Sequence, residues 1–217
     1  VSTSQMKRLS ALLAFALLSL PAVSSAQTYF RFPASQLADQ CGNGGCTVSA
    51  YKDYGGRDYA CGGVRYAGHT GTDYALVGGF SKMDYGVWAM NAASGTIESA
   101  VDGYFDRCTY WDQSNPYNAC GLYTANYIIM RHADGTKTKY WHLKKYTQQF
   151  AVGTYLTCAY WIALVGSSGA STGPHLHFEY WVPGYGTDDP YGGSCGTPYT
   201  RWTSQGAYRG LPGIACQ

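Results

Sequence analysis

The 217-residue sequence predicts a mostly β protein, an antiparallel β-sheet whose loops are tied by disulfides. Three observations predict it. Short runs of β-branched and aromatic residues recur at close spacing between turn residues. No sustained helical periodicity follows residue 26. Glycine (28) and tyrosine (21) are abundant while charged residues make up only 13%, so the connections between strands are glycine-rich turns. Strands this closely spaced favour antiparallel pairing over alternating β-α units.

From the start of the chain, Val1 to Gln5 carry no pattern. Met6-Lys7-Arg8 then reads as the basic start of an export signal, Leu9 to Leu20 as its apolar stretch, and Ser24-Ser25-Ala26 as its small-residue cleavage site. A membrane-spanning helix needs roughly 20 apolar residues, more than this run offers. Residues 1–26 are therefore set aside as a signal. Residues 27–217 are expected to form one domain of about 190 residues, with a core at about 64–182 and a disulfide-rich tail at 183–217. The protein is expected to be secreted or periplasmic, without membrane contact once the signal is removed, and a monomer.

Candidate strands run from Tyr74 to Val77, Val87 to Asn91, Thr96 to Ala100, Tyr127 to His132, Thr138 to His142, Ile162 to Val165 and His175 to Trp181. Ala92-Ala93-Ser94-Gly95 and Ala133-Asp134-Gly135 read as hairpin connections. Residues 41–63 and 103–121, and the tail from Pro183, look like loops and contain most of the cysteines. Eight cysteines in an exported chain favour four disulfides. No Cys-x-x-Cys pair occurs, which argues against a thiolate metal site. Cys108 with Cys120 and Cys195 with Cys216 are the expected local pairs.

Without Lys7 and Arg8, the basic residues only equal the 13 acidic ones. A balanced charge gives no support for nucleic-acid binding.

Four of five histidines fall in three short segments. In Ser171-Thr172-Gly173-Pro174-His175-Leu176-His177-Phe178-Glu179, alternate residues of a strand share a face, so His175 and His177 project together. Glu179 shares that parity, as an orienting partner of a histidine or as a surface charge. Gly68-His69-Thr70-Gly71-Thr72-Asp73 offers His69 and Asp73, with glycines that disfavour a helix and favour a loop entering a strand. His69, Asp73 and one histidine of the pair would make a three-ligand zinc site with an open fourth position, as catalytic zinc requires. His142, in Tyr140-Trp141-His142-Leu143, and the remaining histidine suit proton transfer and charge stabilisation. His132 precedes a turn and reads as structural.

Together these segments, from about Gly68 to Tyr180, resemble the lysostaphin-type (M23, LytM-like) peptidases. The stretch Ser167-Ser168-Gly169-Ala170 leading into Ser171 to His177 carries the most specific part of the likeness, and Arg131 to Gly135 lies in its expected place. By position, the resemblance implies that His69, Asp73 and His177 hold one Zn2+ per chain. His175 corresponds to the general base and His142 to the stabiliser of the tetrahedral intermediate. The implied fold is an antiparallel sheet with a groove over the metal. The implied substrate is the peptide cross-link of bacterial cell-wall peptidoglycan. Trp161 stands where the family has a small residue, Cys158 is unusual, and the segment from Cys108 to Cys120 is longer than a minimal domain needs. Two other readings are a non-catalytic LytM-like module that binds wall or activates an amidase, and an extracellular zinc protease of broader specificity. The complete ligand set favours the enzyme over the binding module.

Overall fold

Strand 175–182 shows how the sheet is built. Leu176, Phe178 and Tyr180 are buried among apolar side chains, while the alternate residues His175, His177 and Glu179 project from the other face. The same alternation recurs in 137–141, where Thr138 and Tyr140 are fully buried on one side and Lys139 and Trp141 stand on the other. The sheet therefore has one apolar face, which supplies the core, and one polar and aromatic face, which supplies the site.

The computed structural model describes residues 26–217. The expected signal, Ala26 apart, lies outside the described residues. In chain order the elements are β1 (Cys46–Ala50), β2 (Thr72–Leu76), α1 (Gly79–Tyr85), β3 (Trp88–Met90), β4 (Gly95–Val101), β5 (Tyr127–Arg131), β6 (Lys137–Trp141), β7 (Tyr155–Leu156), β8 (Trp161–Leu164), β9 (His175–Val182) and β10 (Gly186–Asp188). The main sheet runs β1-β2-β9-β6-β5-β4-β7, with β10 also on β9, and every pairing is antiparallel. β3 and β8 form a separate two-stranded sheet. Among the described residues no helix is long and apolar enough to cross a membrane.

The core draws on the whole described chain. Phe30 and Phe32 enter from the N-terminal segment, and Tyr191 and Trp202 from the tail, to pack with Tyr74, Tyr140 and Phe178. Phe30 meets Phe178, Tyr180 and Trp202 edge-on, an arrangement that suits aromatic quadrupoles. Each such ring, fully buried, contributes about 1.5–3 kcal/mol relative to exposure. This use of aromatics in place of aliphatic side chains accounts for part of the tyrosine count.

The structure corrects three expectations. Ala92 to Gly95 does not close a hairpin, because β3 leaves to pair with β8. Asn91 pins that corner instead, donating from Nδ2 to Ala93 O and Thr157 O and accepting from Tyr160 N, while Ala92 N donates to the Tyr140 hydroxyl. Residues 41–63 are not all loop, since Cys46–Ala50 alternates buried and exposed positions and pairs with β2. The tail cysteines do not pair locally. Cys195 bonds Cys61 and Cys216 bonds Cys158, because the tail folds back over the domain, where Cys195 N donates to Tyr59 O. Cys108–Cys120 forms as expected, and Cys41–Cys46 completes four disulfides. The turn at Ala133 to Gly135 does join β5 to β6.

Candidate metal centre

Three neighbouring strands and two loops deliver the site. Asp73 on β2 and His177 on β9 are direct partners in the antiparallel register, and Trp141 on β6 faces His177 from the other side. Directly opposed side chains on one face have Cβ atoms about 4.5–5.5 Å apart, so the sheet alone brings Asp73 to His177. His69 arrives from the loop before β2. Gly68 takes a left-handed φ of +73° there, and a Cβ on Gly71 would lie 3.0 Å from His177 Nε2 and against the Phe178 carbonyl. The glycines thus allow the loop to press onto β9, and Gly68 allows it to curl. His142 follows β6 with φ of +63°, unusual for a residue with a side chain, and its carbonyl accepts from Gly166 N at 3.0 Å.

His69 Nε2, Asp73 Oδ1 and His177 Nδ1 converge at mutual distances of 2.8–3.1 Å. The second nitrogen of each ring fixes which tautomer is present. His69 Nδ1 lies 2.7 Å from Tyr51 O, a carbonyl that can only accept, so that nitrogen carries the proton. His177 Nε2 donates to Glu179 Oε1 at 3.1 Å. In the neutral form that a metal ligand requires, the two rings turn a lone pair each towards the same carboxylate oxygen. Three acceptors packed this closely repel one another unless positive charge lies between them, either a metal ion or, without one, a second proton on His177. Donors about 2.0–2.1 Å from a tetrahedral zinc are roughly 3.3 Å apart, close to the spacing found here. The three residues can hold a metal, and their chemistry fits zinc.

The same orientation extends to the other two histidines. His175 Nδ1 donates to Gly173 O at 2.8 Å and His142 Nδ1 to Ser168 O at 2.6 Å, so each turns Nε2 outward as a lone pair in its neutral form. Their ring centroids are 4.5 Å apart, and His175 Nε2 lies 3.5 Å from Asp73 Oδ1.

Electrostatics follow from burial and this acceptor geometry. Burial, reinforced by the neighbouring His175 and His177, holds the His142 imidazole well below its usual range, and burial lowers His175 too. Burial also disfavours charge on His177, but hydrogen bonds to Asp73 and Glu179 outweigh it and push the ring up to about 9. Burial opposes ionisation of Asp73, yet His175, His177 and His69 hold it well below the usual carboxylate range. Burial opposes ionisation of Glu179 as well, and His177 together with Lys139 and Thr70 lowers it. The centre thus favours positive charge between its two carboxylates.

All five residues singled out in the sequence meet here. They line a cleft of about 330 Å³ whose walls include Tyr66, Trp111, Leu122 and Trp141. Glu179 is buried and orients His177, so it is not a surface charge. Sequence reasoning missed Tyr66, whose ring stacks on His69 with centroids 4.2 Å apart and whose hydroxyl lies 3.4 Å from Asp73 Oδ2. It also missed Thr70, which donates to Glu179, and the Tyr51 carbonyl. Neither a periodicity nor a motif marks these three. Trp111 belongs to the segment closed by Cys108–Cys120, so the insertion does form a wall of the cleft. Trp161 lies elsewhere, stacked on Trp88. His132 is buried beneath the sheet, with Nδ1 on Ser94 O and Nε2 on the Thr138 hydroxyl, as a structural histidine would be.

The sequence model of Peptidase family M23 matches residues 67–189. Peptidoglycan DD-endopeptidase ShyC of Vibrio cholerae is 31% identical over 116 residues, 54% of this chain and 21% of that protein. DD-carboxypeptidase/endopeptidase Mpg of Neisseria meningitidis is 33% identical over 117 residues, 54% of this chain and 20% of that protein. The chain therefore spans about a fifth of the length of these curated relatives. Among solved structures, the catalytic domain of lysostaphin from Staphylococcus simulans aligns with 66% of this chain and 85% of its own, at 24% identity and a TM-score of 0.42.

Proposed function

Because the chain belongs to peptidase family M23, we propose that it is an exported zinc endopeptidase that hydrolyses peptide bonds in bacterial cell-wall peptidoglycan. One observation carries the reading: His69 Nε2, His177 Nδ1 and a carboxylate oxygen of Asp73 converge on one point, beside two further histidines whose Nδ1 is committed to a backbone carbonyl. A module that only binds wall has no need of that arrangement. The family match and the names of the curated relatives support the choice of substrate. Four disulfides support export, since such bonds persist in oxidising compartments. A core drawn from Phe30 to Trp202 supports reading residues 27–217 as one domain behind a signal at 1–26.

His69, Asp73 and His177 would hold the ion. Zinc, when bound, supplies Lewis acidity, polarising a carbonyl and lowering the pKa of water to about 7. Tyr51 O and Glu179 keep the two ligand rings turned so that the correct nitrogen faces inward. His175, with Nδ1–H committed to Gly173 O, accepts a proton from water at Nε2 and can return it to the leaving amine. His142 can donate from Nε2 only when its ring carries both protons, because Nδ1–H is committed to Ser168 O. Burial and the neighbouring histidines disfavour that form at rest, and the negative charge that develops on the oxyanion of the tetrahedral intermediate is what would favour it there. The aromatic walls hold the peptide and limit access of bulk water.

Digestion of purified peptidoglycans with direct and with glycine-bridged cross-links, followed by mass analysis of the fragments, tests the proposal and identifies the bond. Cross-link cleavage is expected, and it should disappear in Asp73→Ala together with bound zinc. Hydrolysis retained by zinc-free Asp73→Ala would remove the mechanism.

A further inference from the structure

A second cavity of about 370 Å³ adjoins the metal cleft across Trp141 and Leu122, which line both. Its floor is the polar face of β5 and β6, with Tyr127, Ile129 and Lys139, and its far wall is Tyr104 and Tyr123. Nearly everything that lines it is apolar or aromatic. Lys139 is the single charged residue of the lining.

Lys139 has no polar partner within the described residues. Lys139 Nζ lies 3.6 Å from the centroid of the Trp141 ring and 5.1 Å from that of Tyr127, held by their π faces. Aromatic faces offer an ammonium no acceptor atom, and Lys139 has three N–H donors. It makes no hydrogen bond or ion pair among the described residues. Glu179 is its cross-strand partner, but both oxygens of that carboxylate are engaged. Oε1 accepts from His177 and Thr70, and Oε2 from Trp181 Nε1 at 2.7 Å. The indole N–H of Trp141 is buried and likewise has no partner among the described residues. The buried Trp141 N–H is out of reach from the cavity, whereas the half-buried Lys139 ammonium lines it, and an acceptor that enters can supply the partner the protein does not.

We propose that this cavity is a specificity subsite that takes a carboxylate-bearing arm of the peptide substrate, paired with the Lys139 ammonium and flanked by Trp141, Tyr123 and Tyr127. The inference rests on the peptidase reading for the identity of the ligand, but not for the chemistry of the cavity. Trp141 borders both cavities, so a peptide held over the metal places a neighbouring branch within reach of Lys139. A carboxylate satisfies the ammonium with charge-assisted hydrogen bonds, whereas a carboxamide of the same shape offers no charge.

The test separates binding from cleavage. N-acetyl-D-Ala-D-Ala, as free acid and as carboxamide, is titrated into the zinc-loaded His175→Ala protein, in which turnover is slowed, with tryptophan fluorescence as the readout. The free acid should bind about ten- to a hundredfold more tightly than the amide. Lys139→Met should abolish that ratio by weakening the acid far more than the amide, and Lys139→Arg should retain it. Equal binding of acid and amide before substitution, or a ratio that survives in Lys139→Met, overturns the subsite. An unfolded Lys139→Met protein would lose amide binding too, and Lys139→Arg together with the unsubstituted comparison then decides. Cleavage of peptidoglycan by the otherwise unaltered protein is scored separately. Preference for the acid without any cleavage sinks the peptidase reading and leaves the subsite standing, and the reverse outcome does the opposite.

Discussion

Glu179 Oε1 accepts the Nε2 proton of His177 at 3.1 Å, two residues along the same strand, and the carboxylate is almost wholly buried. This contact turns His177 Nδ1 towards Asp73, because a neutral imidazole with its proton at Nε2 has its lone pair at Nδ1. Glu179 is itself held by Thr70 and by Trp181 Nε1. The orientation of one ligand thus depends on a chain of contacts from the surface of β9 to the loop that carries His69.

Glu179→Gln keeps the shape and removes the charge. Zinc affinity should fall about 10- to 100-fold, the usual effect of losing a ligand's orienting partner. Activity per bound zinc should change much less. Competition with a chelator of known affinity measures the first quantity and metal-saturated turnover the second. Unchanged zinc affinity would show that the contact does not orient the ligand.

Removing a ligand and removing a proton-transfer group should differ in kind. Asp73→Ala or His177→Ala leaves two donors, and such a protein should emerge from dialysis without stoichiometric metal. His142→Ala and His175→Ala keep all three ligand atoms, so zinc should remain while turnover drops about 10²- to 10⁴-fold. Metal content by mass spectrometry, set beside hydrolysis of the same samples, distinguishes the two groups. Equal zinc loss in all four variants would refute the division of labour.

The site was largely readable because its chemistry sits on local patterns. The parity of His175, His177 and Glu179 is a property of any strand, and Gly68 and Gly71 announce a loop before Asp73. The features that were not readable depend on which strands lie side by side. Lys139 faces Glu179, and Trp141 faces His177, only because β6 pairs with β9, and no nearby residue encodes that pairing. Helix α1 has only seven residues between Gly78 and Gly86, too few for periodicity to show. The expected Cys195–Cys216 pair failed for the same reason that strand pairings were not readable. Cys61 and Cys195 are 134 residues apart and meet only through the path of the tail, whereas Cys108 and Cys120 close a local loop.

Asp189 predicts a dependence of stability on pH. It is fully buried, its Oδ1 accepts from Tyr191 N, and its Oδ2 has no partner among the described residues. Burial pushes its pKa up to about 8, aided by the adjacent Asp188. An unfolded aspartate titrates near 3.9. Between about 4 and about 8 the folded protein keeps a proton that the unfolded chain releases, so this residue makes stability fall as pH rises through that window. Asp189→Asn mimics the protonated acid and should flatten that part of the profile. Denaturant midpoints at pH 5, 6.5 and 8 for both proteins check it, and identical slopes would contradict the assignment.

The disulfides should divide by what they constrain. Cys61–Cys195 spans 134 residues, and the chain-entropy argument gives its loss a cost of about 5 kcal/mol. The same argument gives about 3 kcal/mol for the 12-residue span of Cys108–Cys120. The shorter bridge has a second consequence, because the segment it closes carries Trp111 into the wall of the metal cleft. A paired Cys108→Ser, Cys120→Ser variant should therefore remain folded and keep its zinc while KM rises, as the wall loses its fixed shape. A paired Cys61→Ser, Cys195→Ser variant should lose much more stability, and any that stays folded should keep its KM. Denaturant titration and steady-state kinetics on both variants separate these effects. If opening Cys108–Cys120 left KM untouched, the insertion would be a covalently closed loop without a part in holding substrate.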